Sequence, residues 1–443
     1  FYAIVLNPTG EPIPELQSAP LLSSAKGEKD SADRIYHRFV EVEENENGTP
    51  TKITFKNTGH FNFAFDIVDE IAKQKPNKLA MLHIDKFGTE RRFTFKDMKR
   101  ASAQCANYFK ALGIQKGDRV MLILKRHYQF WFAIVGLHKL GAGAIPATNL
   151  LQEHDLTYRF NAAGVSAILC TADGDVAHQV ELAQKESPTL KTKVLVGGSR
   201  EGWHDFDAEY GLFSRRYTRK DDAPCGDDPM LMFFTSGTTG MPKMAVHTYT
   251  YPLAQIATAA YWHNLDDTSL HIAVADTGWA KAGWGKIYGQ WICGACLFVY
   301  DFDRFVATDM LRMLEKYQVT SFCAPPTVYR FMIKEDMSRY DLSHLKWANT
   351  AGEPLNPEVF NQFKRFTGVE LHEAFGQSET TPLLMTSKWM TPRMGSTGRP
   401  SPHYHIDLVD QEGRSVEDGV EGEIVVRLDQ GHPAGLLREY YRD

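Results

Sequence analysis

"MFFTSGTTGMPKMAVH" (232–247) sets hydroxyls, glycines, a proline and a lysine directly after an apolar run. The run reads as a buried strand. A glycine-rich turn at its end can aim several backbone N–H groups at an anion, because glycine accepts positive φ and close approach. Thr235, Ser236, Thr238 and Thr239 add hydroxyl donors, Gly237 and Gly240 free the backbone, and Lys243 adds a point charge. The order is not that of a Walker A loop. Met241 and Pro242 part Gly240 from Lys243, and Met244 stands where Ser or Thr would meet magnesium. A plain Ser/Thr/Gly surface turn is the alternative, and it leaves the hydroxyl density after a buried strand unexplained.

Outward from this stretch the chain alternates. Short apolar runs at 119–124, 166–170, 193–197, 230–235, 271–275, 296–300 and 319–323 read as buried strands. Helical periodicity lies between most of them. One example starts near Phe63. Another begins at Thr94, with Asp97 placed for a capping box and Gly113 for a C-terminal stop, and a third begins at Asp309. Apolar strands alternating with helices imply α/β architecture, with parallel sheets covered on both faces and ligands at the carboxyl ends of the strands. The turn-rich segment 219–229 is the expected boundary between two doubly wound α/β halves. After about 395 the pattern becomes alternating and turn-separated, as in a small β-barrel-like unit. The expected organisation is an N-terminal arm (1–60), a first α/β subdomain (61–225), a second carrying the nucleotide-binding loop (226–394), and the β-barrel-like unit (395–443).

Composition narrows the class. The chain has 443 residues, too many for one average domain, with ordinary hydrophobic (43%) and charged (23%) content. A net charge of −6 argues against a nucleic-acid partner. Six scattered cysteines form no disulfide framework, which suits a reducing compartment. Cys293 and Cys296 make one CxxC without a second ligand pair, and read as thiols beside a turn. The most apolar region, from Trp131, is broken by His138, Lys139, glycines and a proline, so no membrane span is expected. The chain begins at Phe1 and not at Met, and reads as part of a longer polypeptide.

Two further segments carry chemistry. In "HEAFGQSET" (372–380), Glu379 can meet a hard cation such as Mg²⁺, Ser378 a phosphate oxygen, and Phe375 a purine face; a helix start capped by Ser378 is the alternative. "NTAGEPLNP" (349–357) is a turn with Pro357 placed to open a helix.

Together, "TSGTTGMPK", "GEPL" and "EAFGQSET" resemble, in order and approximate spacing, the motifs of adenylate-forming (AMP-binding) enzymes. "DTGWAKAGWGKIYGQW" (276–291) and "APPTVYRFM" (324–332) are similar to the medium-chain acyl-CoA synthetase branch, related to acetyl-CoA synthetase. The resemblance implies the large N-terminal domain of that superfamily. It implies that Thr235, Ser236, Gly237, Thr238, Thr239, Gly240 and Lys243 hold the β- and γ-phosphates of ATP. Gly352, Glu353 and Pro354, with Glu373, Ala374 and Phe375, frame the adenine. Gly376 and Gln377 belong to the same ATP-binding segment. Ser378, where the family usually has Thr, contacts the α-phosphate, and Glu379 binds Mg²⁺. Lys243, Ser378 and Glu379 are the expected catalytic residues. Trp279, Gly283, Trp284, Thr327 and Gly376 are expected around the acyl group. Glycine at 376, where acetyl-CoA synthetases carry a tryptophan, leaves room for a longer or branched chain, so Gly376→Trp is expected to favour short acids.

The implied reaction joins a carboxylate to the α-phosphorus of ATP, releasing pyrophosphate, and then passes the acyl group to CoA, releasing AMP. The ribose-binding Asp and the small C-terminal domain with its catalytic lysine are expected beyond Asp443, so this stretch alone is expected to bind ATP yet adenylate poorly. Two other readings stay open: an amino-acid adenylation domain serving a carrier protein, and a non-catalytic nucleotide-binding scaffold. Asp276 is in the region where amino-acid-activating relatives bind the substrate amine, although "ADTGW" has the acyl-CoA synthetase form. Small-molecule acid, ATP and CoA are the expected partners, with a second copy of the chain as a further candidate (a homo-oligomer), in the cytoplasm or alternatively the mitochondrial matrix.

Overall fold

The computed structural model describes residues 35–235 and 240–442. Residues 1–34 of the expected arm lie outside the described residues, as do Ser236, Gly237, Thr238 and Thr239 of the glycine-rich loop. What is described of the arm is ordered into an antiparallel ribbon, Val40–Glu44 against Pro50–Phe55. Asn45 Oδ1 accepts the N–H groups of Asn47 and Thr49 at 3.0 Å to form its turn. Phe39, Val40 and Ile53 bury against the main core.

Two large mixed sheets dominate. The first has eight strands, in spatial order Glu439–Tyr440, Met244–Thr248, Pro229–Phe234, Gly143–Pro146, Arg119–Ile123, Ala167–Thr171, Thr192–Val196 and His204–Asp205. The second has nine: Arg399–Pro400, Leu384–Met385, Leu371–Phe375, Trp347–Ala351, Ser321–Cys323, Leu270–Ala273, Cys296–Tyr300, Leu79–Ile84 and Glu90–Thr94. Strands from both sides of segment 219–229 occur in each sheet, so that segment does not divide one sheet from the other. Physically it is part of the packing: the buried Asn62 side chain donates to the Pro224 carbonyl at 2.8 Å and to the His138 carbonyl at 3.0 Å.

Helix Gln129–Leu140 is buried along its whole length. It packs on helix Phe95–Ala111, which carries the expected Thr94–Asp97 capping box. Gly136 permits the close crossing, since a Cβ there would lie 2.7 Å from Cys105 Cβ. Lys139, which interrupts the apolar run in sequence, pairs with Asp69 at 2.8 Å inside this core. No helix among the described residues is long and apolar enough to cross a membrane.

After 395 the antiparallel expectation appears as one ribbon, Ile406–Val409 against Glu423–Val426. The remaining strands of this region extend the two large sheets, Arg399–Pro400 the second and Glu439–Tyr440 the first. Among the described residues this region therefore forms no separate barrel-like sheet.

Candidate active site

Each large sheet has a change from parallel to antiparallel pairing at a signature loop; the second sheet has another at Leu79–Ile84, which pairs antiparallel with Glu90–Thr94. In the first sheet, Pro229–Phe234 runs parallel to Gly143–Pro146 and turns back into Met244–Thr248. The Thr235 N–H donates to the Lys243 carbonyl at 2.8 Å and closes the neck of the loop. Tyr158 donates its hydroxyl to the Pro242 carbonyl at 2.8 Å. Gly240 and Lys243 are exposed at the rim. The glycine-rich loop thus leads into a strand, and among the described residues no helix starts between it and that strand.

In the second sheet, Leu371–Phe375 runs parallel to Trp347–Ala351 and turns back into Leu384–Met385. No helix starts at Ser378. The turn is closed by Thr380, whose Oγ1 accepts the Gln377 N–H at 3.0 Å. Gly352 follows strand Trp347–Ala351 with φ +105°, and its place beside Lys281 leaves no room for a side chain. The Lys281 ammonium donates to the Ala351 carbonyl, and burial lowers its pKa. Glu353 takes both the N–H and the hydroxyl of Thr327; the hydroxyl bond holds its carboxyl below the usual range. Glu373 lies further down its strand, and burial pushes its carboxyl up to about 7.

The two loops meet. His247, on the first sheet, donates Nε2–H to the Ser378 carbonyl at 2.8 Å. Burial depresses this imidazole to about 4, so it is neutral near pH 7. Tyr440 donates its hydroxyl to Glu379 Oε1 at 2.9 Å, while Lys243 Nζ lies 5.2 Å from the Tyr440 ring centroid. Thr235, Lys243, Ser378 and Glu379 are therefore on one shared rim. His247 closes the stretch 232–247 but has no role that its local sequence suggests, and Tyr440 is 61 residues from its partner, so both escape a sequence reading.

Next to this rim, at the carboxyl ends of Leu270–Ala273 and Ser321–Cys323, is a crevice. These neighbouring strands feed connections that run in opposite directions, the place where open α/β sheets take ligands. Trp262, His263, Val274, Trp284, Cys323 and Ala351 are among its walls, and Lys281 brings a cation to it. Of the expected acyl-group residues, Trp284 lines the crevice. Trp279 is 54% exposed. Gly283 backs onto Tyr251, whose hydroxyl would lie 2.8 Å from a Cβ, and Thr327 is engaged by Glu353. Gly376 does not open free space. A Cβ there would lie 2.7 Å from Trp284 Cη2 and 2.8 Å from the Thr381 carbonyl oxygen, so the indole already occupies the room that glycine gives. Trp284 is held there by its Nε1–H bond to the Thr380 carbonyl at 3.1 Å.

Asp276 lies 3.6 Å from Arg126 and accepts the Gly278 N–H at 2.9 Å, so its charge is already matched. As for a metal, no group of three or more His, Cys, Asp or Glu is placed to hold one among the described residues. Glu379 nevertheless fits magnesium, which is usually held by one or two carboxylates together with phosphate oxygens and water. Its Oε1 is taken by Tyr440, and no described residue bonds Oε2.

The family model described as AMP-binding enzyme matches residues 68–441. The chain belongs to the AMP-binding enzyme family. This AMP-binding chain is 35% identical over 389 residues to mouse acyl-coenzyme A synthetase ACSM3, mitochondrial, covering 86% of the chain and 66% of that relative. It is 36% identical over 382 residues to human acyl-coenzyme A synthetase ACSM5, mitochondrial, covering 84% of the chain and 65% of that relative. The chain thus spans just under two thirds of the length of these relatives. Its fold matches the crystal structure of Brucella canis acyl-CoA synthetase with a TM-score of 0.79 at 24% identity, covering 87% of the chain and 70% of that structure. It matches the anthranilate CoA ligase AuaEII, solved with anthranoyl-AMP, equally well at 25% identity, covering 87% and 72%.

Proposed function

We propose that this AMP-binding chain is the nucleotide- and acid-binding part of an AMP-forming acyl-CoA synthetase acting on medium-chain, branched or related carboxylic acids. The observation that carries the reading is the meeting of the two loops, with Lys243 and Glu379 on either side of Tyr440 and a largely apolar crevice beside them. Carboxylate and ATP are both anions, so the first step needs charge neutralisation and alignment more than a side-chain base. Lys243 and the loop from Thr235 to Gly240 supply donors on the pyrophosphate side. Ser378 supplies a hydroxyl toward the α-phosphate. Gly352, Glu353 and Pro354, with Glu373, Ala374, Phe375, Gly376 and Gln377, frame the adenine. Glu379 holds Mg²⁺, which neutralises phosphate charge when bound. Trp284 limits the acyl group, and its position against Gly376 makes Trp284 the first determinant of chain length.

The Arg126–Asp276 pair favours a plain carboxylate over an amino acid, because a substrate amine would find its expected carboxylate already paired. The large N-terminal domain of adenylate-forming enzymes, with its paired doubly wound layers, is the architecture we assign. The mitochondrial names of the relatives favour the matrix over the cytoplasm. The test is AMP release that requires both CoA and an acid, measured on the protein containing this chain with acids of increasing length. Acid-dependent pyrophosphate exchange that responds to amino acids alone, with no CoA turnover, would replace this reading with the amino-acid one.

A further inference from the structure

The chain's final described segment is laced between the two loops. The Leu437 N–H donates to the Glu379 carbonyl at 2.7 Å, and the next N–H, from Arg438, donates to the Val246 carbonyl at 2.7 Å. Consecutive residues thus bond to opposite sheets. Glu439–Tyr440 then pairs antiparallel with Met244–Thr248, placing Tyr440 opposite Ala245, two residues from Lys243. From this register the Tyr440 hydroxyl reaches Glu379 Oε1 and its ring reaches the Lys243 ammonium.

We propose that Tyr440 is a positioning residue that ties the two nucleotide-handling loops together. It holds one oxygen of Glu379 by a hydrogen bond and the Lys243 ammonium against its ring. The proposal rests on the reading of Glu379 as the magnesium ligand of an ATP site.

Each half has a physical cause. A carboxylate on a turn samples several rotamers, and fixing them costs binding free energy each time a ligand arrives. A hydroxyl donated to Oε1 fixes that carboxylate beforehand and leaves Oε2 for a divalent cation. A bond to a charged acceptor is among the stronger hydrogen bonds. The ring face carries partial negative charge, which attracts an ammonium and narrows where it points. Because the anchor is a strand paired to the first sheet, both effects depend on that strand staying in register.

The experiment measures ATP binding by tryptophan fluorescence, with Mg²⁺ and with EDTA, for wild type, Tyr440→Phe, Glu379→Gln, the double variant and Tyr440→Leu. Wild type should bind ATP more tightly with Mg²⁺. Tyr440→Phe should lose about ten-fold of that benefit while its EDTA affinity stays unchanged. Glu379→Gln should lose at least as much, and the double variant should bind no more weakly than Glu379→Gln, since both act on one interaction. Tyr440→Leu, which also removes the ring, should weaken binding in EDTA as well. A Tyr440→Phe variant that keeps the full Mg²⁺ benefit would overturn the proposal. So would losses that simply add in the double variant, equal losses with and without Mg²⁺, or a wild type with no Mg²⁺ benefit. The expected pattern without any acid- and CoA-dependent AMP release would overturn the synthetase reading and leave Tyr440 in its role.

Discussion

The glycine-rich hairpin of the first sheet and the hairpin after Phe375 in the second sheet sit at equivalent places, each where a parallel strand first meets an antiparallel neighbour. Their surroundings differ. At the first, Met241 is 60% exposed and Lys243 lies at the surface. At the second, Thr380 and Thr381 are buried, Trp284 donates to the Thr380 carbonyl, and the Thr381 N–H donates to the Tyr404 hydroxyl at 3.1 Å. The described tip of the first hairpin, Gly240 to Lys243, is largely exposed, whereas packing accounts for much of the second. Substitutions should therefore weaken ligand binding at the first and stability at the second.

The largest effect that could break this contrast is at Trp284. Trp284→Ala should cost about 3–5 kcal/mol of unfolding free energy, read from denaturant midpoints, and should extend the accepted acyl chain. A loss under 1 kcal/mol would mean the second hairpin is not held by packing. Gly376→Ala comes next, at about 1–3 kcal/mol, because the new methyl meets the indole and a backbone carbonyl. Gly376→Trp cannot fill an empty pocket, since the indole of Trp284 must first leave. A shift toward short acids should then appear chiefly in the Gly376→Trp, Trp284→Ala pair, and a shift in the single variant without loss of stability would contradict the packing seen here. At the first hairpin, Lys243→Met should change stability by less than about 0.5 kcal/mol, as expected for an exposed side chain. It should weaken ATP binding about ten-fold or more, which calorimetry would detect.

The smallest effect sharpens the contrast through pH. An unfolded Glu373 ionises near its ordinary value of 4.5, and the folded one near 7. Between these values the unfolded state has released a proton that the folded state keeps. The group's contribution is therefore complete below about 4.5 and is lost as pH rises through about 7. Glu373→Gln should raise the melting temperature at pH 8 relative to wild type, with no gain at pH 4. An equal gain at both values would refute the burial cause.

Much of this was legible in the sequence. Strand 296–300 and the capping box at Thr94 stand where they were expected, because apolar runs and N-cap chemistry are local. The short strands Met244–Thr248 and Leu384–Met385 were not, because each follows a motif loop and takes its identity from the strand it pairs with. That strands from both sides of 219–229 share each sheet was not legible for a related reason: turn composition marks where a chain bends, not which sheet it rejoins. Which of Gly376 and Trp284 fills the space between them was not legible, because they are 92 positions apart by their numbers and only their contact decides it.

By itself the sequence pointed the loop from Thr235 to Lys243 toward anion binding, since hydroxyls, glycines and a lysine after an apolar strand are local features legible without their surroundings. Tertiary structure decided what that loop works with. Sheet pairing brings Tyr440 between Lys243 and Glu379, and packing gives the room at Gly376 to Trp284; both depend on contacts between distant segments, which no local pattern of residues specifies.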